Sequence, residues 1–436
     1  MIAPVKGTHD IIGFEAEEYR TISNAFKAAA ELFGYKEAIL PHIENTELFA
    51  RGTGEGSDVV RKEMYTFLDK GGRSITLRPE LTASIARSVI SNKLYATEDL
   101  PLKLYYDGSL FRYERPQQGR WREYHTFGIE AIGVDSTYLD AESAMIAVIA
   151  LGILGFDKVK VKVNSLGDET SRAAYKKALV EYFSSRIDEM CGDCHERLTL
   201  NPLRILDCKV EEDQKIASLA PKLKDYLTPE SDKRFYETLS ILNSFDIDYE
   251  IDESLVRGLD YYSEFVYEVH VISKEGKDYG ALLGGGHYGG LVKELGGPDL
   301  PGVGFGAGIE RVHSVMKDNG MLDDAVTPLD VYIMPVGENS YEEAFAIANS
   351  IRVLGYSCEL PYSPVKLGNL FKRAERKKAR FGLILGEEEI ARGVAQLKDL
   401  NKKEQKEIKL SDLEAELDKA MLDQHEEEPH HHAEEE

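Results

Sequence analysis

Leu102-Lys-Leu-Tyr-Tyr-Asp-Gly-Ser-Leu-Phe-Arg-Tyr-Glu114 and Arg122-Glu-Tyr-His-Thr-Phe-Gly-Ile-Glu-Ala-Ile-Gly133 are two runs rich in Tyr, Phe, Ile and Leu, with Pro116, Gln117, Gln118 and Gly119 between them. The pattern predicts a long β-hairpin. Strand side chains alternate, which sets Arg112 and Glu114 on one face of the first strand and Thr126, Gly128 and Glu130 on one face of the second. If the two faces coincide they make a polar floor. A cation, two carboxylates and a glycine for close approach can hold a zwitterion or a nucleotide phosphate; the plain alternative is an exposed face carrying ion pairs. The loop between the strands carries Arg115, Arg120 and Arg122 around Trp121. Guanidinium forks beside an aromatic ring suit phosphate and nucleotide contact, against the reading of a solvated loop.

On the N-terminal side, Tyr19, Ile22, Phe26, Ala29 and Phe33 recur at helical spacing and Gly34 follows as a stop, predicting a helix over 15–33. Arg51 to Arg61 reads as a polar, glycine-bearing loop, followed by strand, Gly71-Gly72 turn and strand. On the C-terminal side, Asp140 to Leu154 has helical spacing and Lys158 to Asn164 alternates like a half-exposed strand. The charged stretch from Asp168 to about Tyr249 reads as a helical insertion. Strand character resumes from Leu255 to about Gly308, with a strand at Val266 to Val271 and a turn in the Gly284 to Gly290 region. The composition changes near Val326-Thr327-Pro328, where a strand from Val331, a helix from Tyr341 and a basic helix at Lys372 to Arg380 predict a small α/β unit. The expected domains are 1–325, with an insertion at about 168–250, then 326–420, and a low-complexity tail at 421–436 expected to be disordered.

The whole chain has 436 residues, 42% apolar and 30% charged, which excludes disordered and fibrous classes. Its net charge of −24 argues against diffuse binding to nucleic acid or anionic membrane. A local basic site is still compatible with that. Lys372 to Lys409 holds twelve basic and seven acidic residues, net +5, and Asp423 to Glu436 holds seven acids with no Lys or Arg. The longest apolar run, Ala144 to Phe156, is thirteen residues, where a membrane span needs about twenty. Four cysteines are too few for a secreted disulfide framework, so a reduced, cytoplasmic setting is expected. Cys191-Gly-Asp-Cys194 and Cys208 offer three thiols, and His195 adjoins one of them awkwardly. With no second C-x-x-C, they read as free buried thiols, and no metal is expected.

Three further blocks carry chemistry. Leu255-Val-Arg-Gly-Leu-Asp-Tyr-Tyr-Ser263 offers Arg257 to developing phosphate charge and Tyr261 and Tyr262 as hydroxyls. The plain alternative is a buried Arg257–Asp260 pair. Adjacent strand residues face opposite sides, so at most one of the tyrosines enters a pocket unless the backbone bends. Leu283-Gly-Gly-Gly-His-Tyr-Gly-Gly-Leu291 and Pro301-Gly-Val-Gly-Phe-Gly-Ala-Gly-Ile-Glu-Arg311 hold nine glycines, which permit close backbone approach to a ligand. The second lacks the βαβ context of a dinucleotide fingerprint and reads as a strand-to-helix entry aiming Arg311 at an anion.

Together with Lys6-Gly-Thr-His-Asp10, the Arg51 to Phe67 run, Leu77-Arg-Pro-Glu-Leu-Thr-Ala83 and Phe111-Arg-Tyr-Glu-Arg-Pro116, these blocks resemble the histidyl-tRNA synthetases of class II, up to about Ala420. The resemblance implies an antiparallel six- or seven-stranded catalytic sheet of α+β class, a helical insertion, a C-terminal anticodon-binding α/β domain and a homodimer. It implies ATP, Mg²⁺, histidine and tRNA-His as substrates and partners, and no membrane. Glu80, Leu81 and Thr82 would hold the histidine amino group, and Arg112 its carboxylate and the ATP α-phosphate. Thr126, Glu130, Tyr261, Tyr262 and Tyr288 would surround the imidazole, Glu114 would contact adenine and Arg311 the γ-phosphate. Arg257 would stabilise the transition state with Arg112. Arg115, Arg120 and Arg122 would meet the tRNA acceptor end, and Lys372, Arg373 and Arg376 the anticodon arm. Thr126 stands where the family commonly has Gln, and Gly285-Gly-His-Tyr-Gly-Gly290 where it has Gly-Gly-Arg-Tyr-Asp-Gly. These departures raise a second reading, a non-aminoacylating paralogue such as the regulatory subunit of ATP phosphoribosyltransferase, although that relative usually lacks the C-terminal domain and degrades the Arg257 block.

Overall fold

The structure is a computed structural model that describes residues 2–54, 57, 59–114, 121–206, 208–273, 276–322 and 325–425. The chain divides into two compact units, Met1–Val326 and Thr327–Glu436.

The strands of the first unit are β1 (Lys36–Glu37), β2 (Ile43–Asn45), β3 (Tyr65–Leu68), β4 (Ser74–Leu77), β5 (Leu102–Phe111), β6 (Glu123–Ile132), β7 (Val159–Ser165), β8 (Tyr249–Ile251), β9 (Tyr262–Ile272), β10 (Asp278–Tyr288) and β11 (Gly302–Gly308). Eight of them form one sheet in the order β1-β5-β6-β11-β10-β9-β7-β8. The central six are antiparallel throughout, and the short edge strands β1 and β8 add in parallel. The sheet is thus wider than the expected six or seven strands, because two- and three-residue edge segments carry too little pattern to be read from sequence. The predicted hairpin is β5 and β6, paired from Leu102–Ile132 to Phe111–Glu123.

One face of the sheet is covered by helices. The helix Phe14–Leu32 buries Tyr19, Ile22, Phe26 and Ala29, and ends before Gly34 at φ +84°, a conformation that favours glycine. The helix Thr137–Ile153 starts at Ser136, whose side chain accepts from the Tyr138 N–H. Both pack with Phe127, Ile129, Phe265 and Phe305 of the sheet in one core. Each such buried Phe or Leu stabilises the fold by ~1.5–3 kcal/mol.

The helices of the stretch expected to be an insertion divide between two cores. Helices Glu169–Ser184, Gly192–Leu200 and Glu211–Ser218 pack among themselves and against the opposite side of the sheet. The helix Pro229–Ser244, by contrast, places Phe235, Leu239 and Leu242 in the core shared with Phe14–Leu32. Charge masked this apolar stripe in the sequence, and Tyr249–Ile251 is a strand.

Two other expectations change. Arg51 ends a helix, Thr46–Gly52, and Val59–Glu63 forms a π-turn, so the polar stretch is not all loop. The Gly284 to Gly290 region is no turn at its start: Gly284, Gly285 and Gly286 lie within β10. A Cβ on Gly285 would come within 2.2 Å of the Gly304 carbonyl oxygen and 2.6 Å of the Phe305 Cβ, so interior crowding rather than reversal demands glycine there.

The second unit is a five-stranded sheet ordered β13-β12-β14-β15-β16, comprising β12 (Val331–Val336), β13 (Cys358–Glu359), β14 (Phe381–Gly386), β15 (Val394–Asp399) and β16 (Gln405–Lys409). Its helix Leu367–Arg376 buries Leu370 and Ala374 and exposes Lys372 and Arg376. Among the described residues no helix is long and apolar enough to cross a membrane. The tail expected to be disordered from residue 421 instead begins as the end of a helix, Leu413–His425, and from residue 426 onward lies outside the described residues.

Candidate active site

The register of the sheet assembles the site. Tyr106 pairs with Gly128, Gly128 with Gly306, Gly306 with Gly284 and Gly284 with Glu268, a row crossing five strands. Its centre carries no side chains, which opens a trough. A Cβ on Gly128 would stand 2.3 Å from the Tyr106 hydroxyl, and one on Gly284 would stand 2.3 Å from the Arg257 guanidinium. The glycines therefore let a tyrosine and an arginine lie flat over the sheet from opposite sides.

Above this floor is an open cleft of about 570 Å³. Of the residues expected from sequence, Glu80, Leu81, Thr82, Arg112, Thr126, Arg257, Tyr261 and Tyr262 line it. Tyr106, Leu110, Tyr124 and Leu259 join them, and sequence reasoning had missed them. Tyr106 was legible only as a strand aromatic, and pairing with Gly128 is what turns it toward the cleft.

Glu80 is 4% exposed, and both its oxygens accept from the Ala83 N–H at 3.2 Å at the start of the helix Thr82–Ser91. Burial pushes its carboxyl up to about 7, against the pull of the Ala83 and Thr82 amides and the charge of Arg112. Glu130 is 1% exposed and lies beneath the lining. It accepts from the hydroxyls of Thr82 at 2.6 Å, Tyr288 at 2.8 Å and Tyr106 at 3.3 Å. Burial raises it to about 8, opposed by the Thr82 and Tyr288 hydroxyls and reinforced by nearby Glu80. Among the described residues neither carboxylate has an ion-pair partner within 4 Å.

Two arginines face these acids. Arg112 sits just past the end of β5, so it does not share a strand face with Glu114; its backbone N–H donates to the Arg122 carbonyl at 2.8 Å and its Nε to the Pro79 carbonyl at 2.9 Å. Arg257 Nη1 lies 2.5 Å from Glu268, a partner absent from the sequence reading, while its Nε is buried without a partner. The Arg257–Asp260 pair does not form. Asp260 accepts instead from Asn201 at 2.8 Å, and the Arg257 carbonyl accepts from Arg204 at 3.2 Å, so the insertion holds this loop. Tyr261 precedes β9 and Tyr262 begins it, which is the bend that lets both rings, 4.8 Å apart, reach one cleft.

Other expected residues lie elsewhere. Tyr288 reaches Glu130 from below, over Gly302. Arg311, in the helix Ile309–Asp318, donates to the Tyr279 carbonyl, and neither it nor Glu114 lines the cleft. Arg122 is engaged within the chain: its Nε donates to the Glu114 carbonyl at 3.2 Å, its Nη1 to the Lys6 carbonyl at 3.3 Å, and its guanidinium stacks 3.8 Å over Tyr113. That arginine clamps the Lys6-Gly7 segment. Arg115 and Arg120 lie outside the described residues. Arg373 is half-buried on the basic helix of the second unit, beside exposed Lys372 and Arg376. The three departures separate cleanly: Thr126 lines the cleft and donates to the Ala307 carbonyl at 3.0 Å, whereas His287 points to the opposite face and Gly289 is not in the lining.

A six-stranded antiparallel sheet carrying buried carboxylates and arginines over a glycine floor, with helices on its other face, is the catalytic architecture of a class II aminoacyl-tRNA synthetase. Residues 7–312 match the family model described as histidyl-tRNA synthetase, and residues 330–420 match that of an anticodon binding domain. The histidine–tRNA ligase of Bacillus subtilis is 43% identical over 410 residues, covering 93% of this chain and 96% of that protein. The crystal structure of apo S. aureus histidyl-tRNA synthetase is similar at a TM-score of 0.79 and 34% identity, covering 96% of this chain and 100% of that one. An ATP phosphoribosyltransferase regulatory subunit/histidyl-tRNA synthetase from Bacillus halodurans shares the fold at a TM-score of 0.62 and 20% identity, covering 88% of this chain and 98% of that one. The chain belongs to the histidyl-tRNA synthetase family.

Proposed function

We propose that this protein ligates histidine to tRNA-His through a histidyl-adenylate. The observation that carries the reading is the convergence of Glu80, Arg112, Thr126, Arg257 and two tyrosines on one cleft, with Glu130 held just beneath it. Histidine brings an ammonium for the Glu80 side and a carboxylate for Arg112. A neutral imidazole offers one donor and one acceptor nitrogen, suited to Thr126, the tyrosine hydroxyls and the Glu130 network. The histidine carboxylate then attacks the α-phosphorus of ATP, a P–O bond forms, and pyrophosphate leaves with the bond to the β-phosphate.

That step needs position and positive charge rather than a strong base, since the nucleophile is already anionic. Arg257 and Arg112 supply the charge; Mg²⁺, entering with ATP, would neutralise the leaving pyrophosphate. Glu114 on adenine and Arg311 on the γ-phosphate complete the proposal. In the second step a ribose hydroxyl of the tRNA 3′ end attacks the acyl carbon and AMP departs. The acceptor-end role of Arg115 and Arg120 and the anticodon-arm role of Lys372, Arg373 and Arg376, by phosphate contact, belong to the same reading, as do a homodimer and a cytoplasmic location.

The regulatory-paralogue reading is not favoured: likeness to such a relative extends to the fold alone, and His287 and Gly289 stand outside the cleft lining. The test is histidine-dependent ATP–pyrophosphate exchange with charging of a tRNA-His transcript run alongside. Both activities are expected. Exchange without charging would point to another acceptor, and neither activity, with stimulation of a phosphoribosyltransferase instead, would establish the regulator. Removing the residues after Val326 is expected to impair charging far more than exchange.

A further inference from the structure

Away from the cleft, three of the four cysteines and one aspartate meet at a single point. The side-chain ligand atoms of Cys191, Cys194, Cys208 and Asp213 all lie within 4.8 Å of one another. Cys194, Cys208 and Asp213 are buried and Cys191 is half-buried. The Cys191 and Cys208 sulfurs stand 3.8 Å apart, far beyond a disulfide bond and close to the roughly 3.8 Å edge of a tetrahedron of thiolates about 2.3 Å from zinc. The Cys208 sulfur is 3.2 Å from Asp213 Oδ2, an ordinary sulfur–oxygen edge for the same polyhedron.

The surrounding backbone is arranged as it is around metal thiolates. The Cys191 N–H donates to both Asp213 oxygens at 3.2 Å, and the Val210 N–H donates to the Cys208 sulfur. Cys191 and Cys194 are joined by a tight turn in which the Cys194 N–H donates to the Cys191 carbonyl at 2.9 Å. The sequence alone offered only His195 as a fourth ligand. Asp213 supplies it from a separate helix, Glu211–Ser218, at a spacing no short motif signals.

We propose that Cys191, Cys194, Cys208 and Asp213 bind one zinc ion that closes the insertion beneath the Arg257–Asp260 loop. Three thiolates and a carboxylate select zinc among common divalent ions, and four protein ligands leave no open position, so the site is structural. The three thiol protons leave to solvent as the ion enters. Its ligands bracket the segment that reaches the cleft. From the helix Gly192–Leu200, Asp193 holds Lys62 at 3.0 Å and Glu196 pairs with Arg61. The same segment ends in Asn201 and Arg204, which hold Asp260 and the Arg257 carbonyl. The ion would thus fix a platform for Arg257 without touching substrate.

The test is the metal content of the full-length chain, purified under reducing conditions with neither chelator nor added metal, by elemental analysis. The expected result is close to one zinc per chain, released when a mercurial titrates the thiols, and retained in Cys358→Ser, whose thiol lies in the other unit. Asp213→Asn and Cys208→Ser are expected to lose the zinc. If those variants fail to fold, cobalt exchanged into the unmodified chain gives the same answer, through thiolate charge-transfer and tetrahedral ligand-field bands. Less than about a tenth of an equivalent of zinc with all four thiols reactive, iron in place of zinc, or a Cys191–Cys208 disulfide on peptide mapping would each overturn the assignment. Metal content is independent of the ligase reading. If that reading holds, zinc removal should also lower kcat for adenylation several-fold with the histidine KM less affected, because the ion acts through Arg257.

Discussion

His287 and Tyr288 are neighbours in β10, yet they serve two differently organised faces of one sheet. On the helix-covered face, Asp140 is fully buried and neutralised: Arg234 lies 2.7 Å from one of its oxygens and His287 Nδ1 3.1 Å from the other. Those residues come from the helix Thr137–Ile153, the helix Pro229–Ser244 and β10, so one charge cluster pins three elements. On the cleft face, Glu130 and Glu80 are also buried but take their hydrogen bonds from hydroxyls and amides, with the charge of Arg112 felt by Glu80 but forming no ion pair within 4 Å, and burial holds both carboxyls high, at about 8 and about 7. The difference separates structure from function. A buried acid paired directly with its cation is finished, whereas one whose hydrogen bonds come only from neutral donors still has room for a cation that arrives with a ligand.

The largest expected effect lies on the cleft face. Arg257→Ala should lower the rate of adenylation ~1000-fold, with histidine binding weakened far less, because the phosphorus charge it meets develops in the transition state. Pre-steady-state pyrophosphate release checks this; a loss of only a few-fold would remove Arg257 from its role. Next is the opposite face, where Arg234→Ala leaves buried Asp140 without its guanidinium, with His287 beside it, and should cost ~3 kcal/mol in chemical denaturation. The kinetics of the remaining folded enzyme should be near normal, and a selective loss of histidine binding would blur the two faces.

Glu130→Gln should reduce histidine affinity on the order of 30-fold while the free protein becomes no less stable at neutral pH. The sign follows from the raised carboxyl. Its contribution to stability is fully present below the usual 4.5 and is lost as pH rises through about 8. Unfolding measured across that range should therefore show the unmodified chain losing stability relative to Glu130→Gln. The smallest effect is expected for His287→Gln, a drop of ~1 kcal/mol in stability with histidine KM unchanged within about twofold.

Much of this was legible in sequence. The hairpin, the strand-to-helix entry at Gly308 and the second α/β unit follow from local alternation and helical spacing, which short windows carry. Glu80, Arg112 and Arg257 were found because each sits in a compact block. Glu268, Tyr106 and Asp213 were not, since each acquires its partner through pairing or packing of segments distant in sequence. The glycines of β10 misled for a related reason: a turn and a crowded sheet interior both require a missing side chain, and only the register distinguishes them. The same alternation along β10 placed the His287 departure on the far face, where it touches Asp140 rather than substrate.

The most direct test of the unfinished cleft face is calorimetric titration of histidine into the purified protein near pH 7.5, repeated in buffers of different ionisation enthalpy. At that pH free imidazole is largely neutral, so proton exchange reports on the protein. Net proton release to the buffer is expected on binding, as the ammonium of histidine draws the raised Glu80 and Glu130 carboxyls toward their ionised forms, with the release diminished in Glu130→Gln and preserved in His287→Gln. Heats independent of the buffer, or unchanged binding in Glu130→Gln, would contradict it.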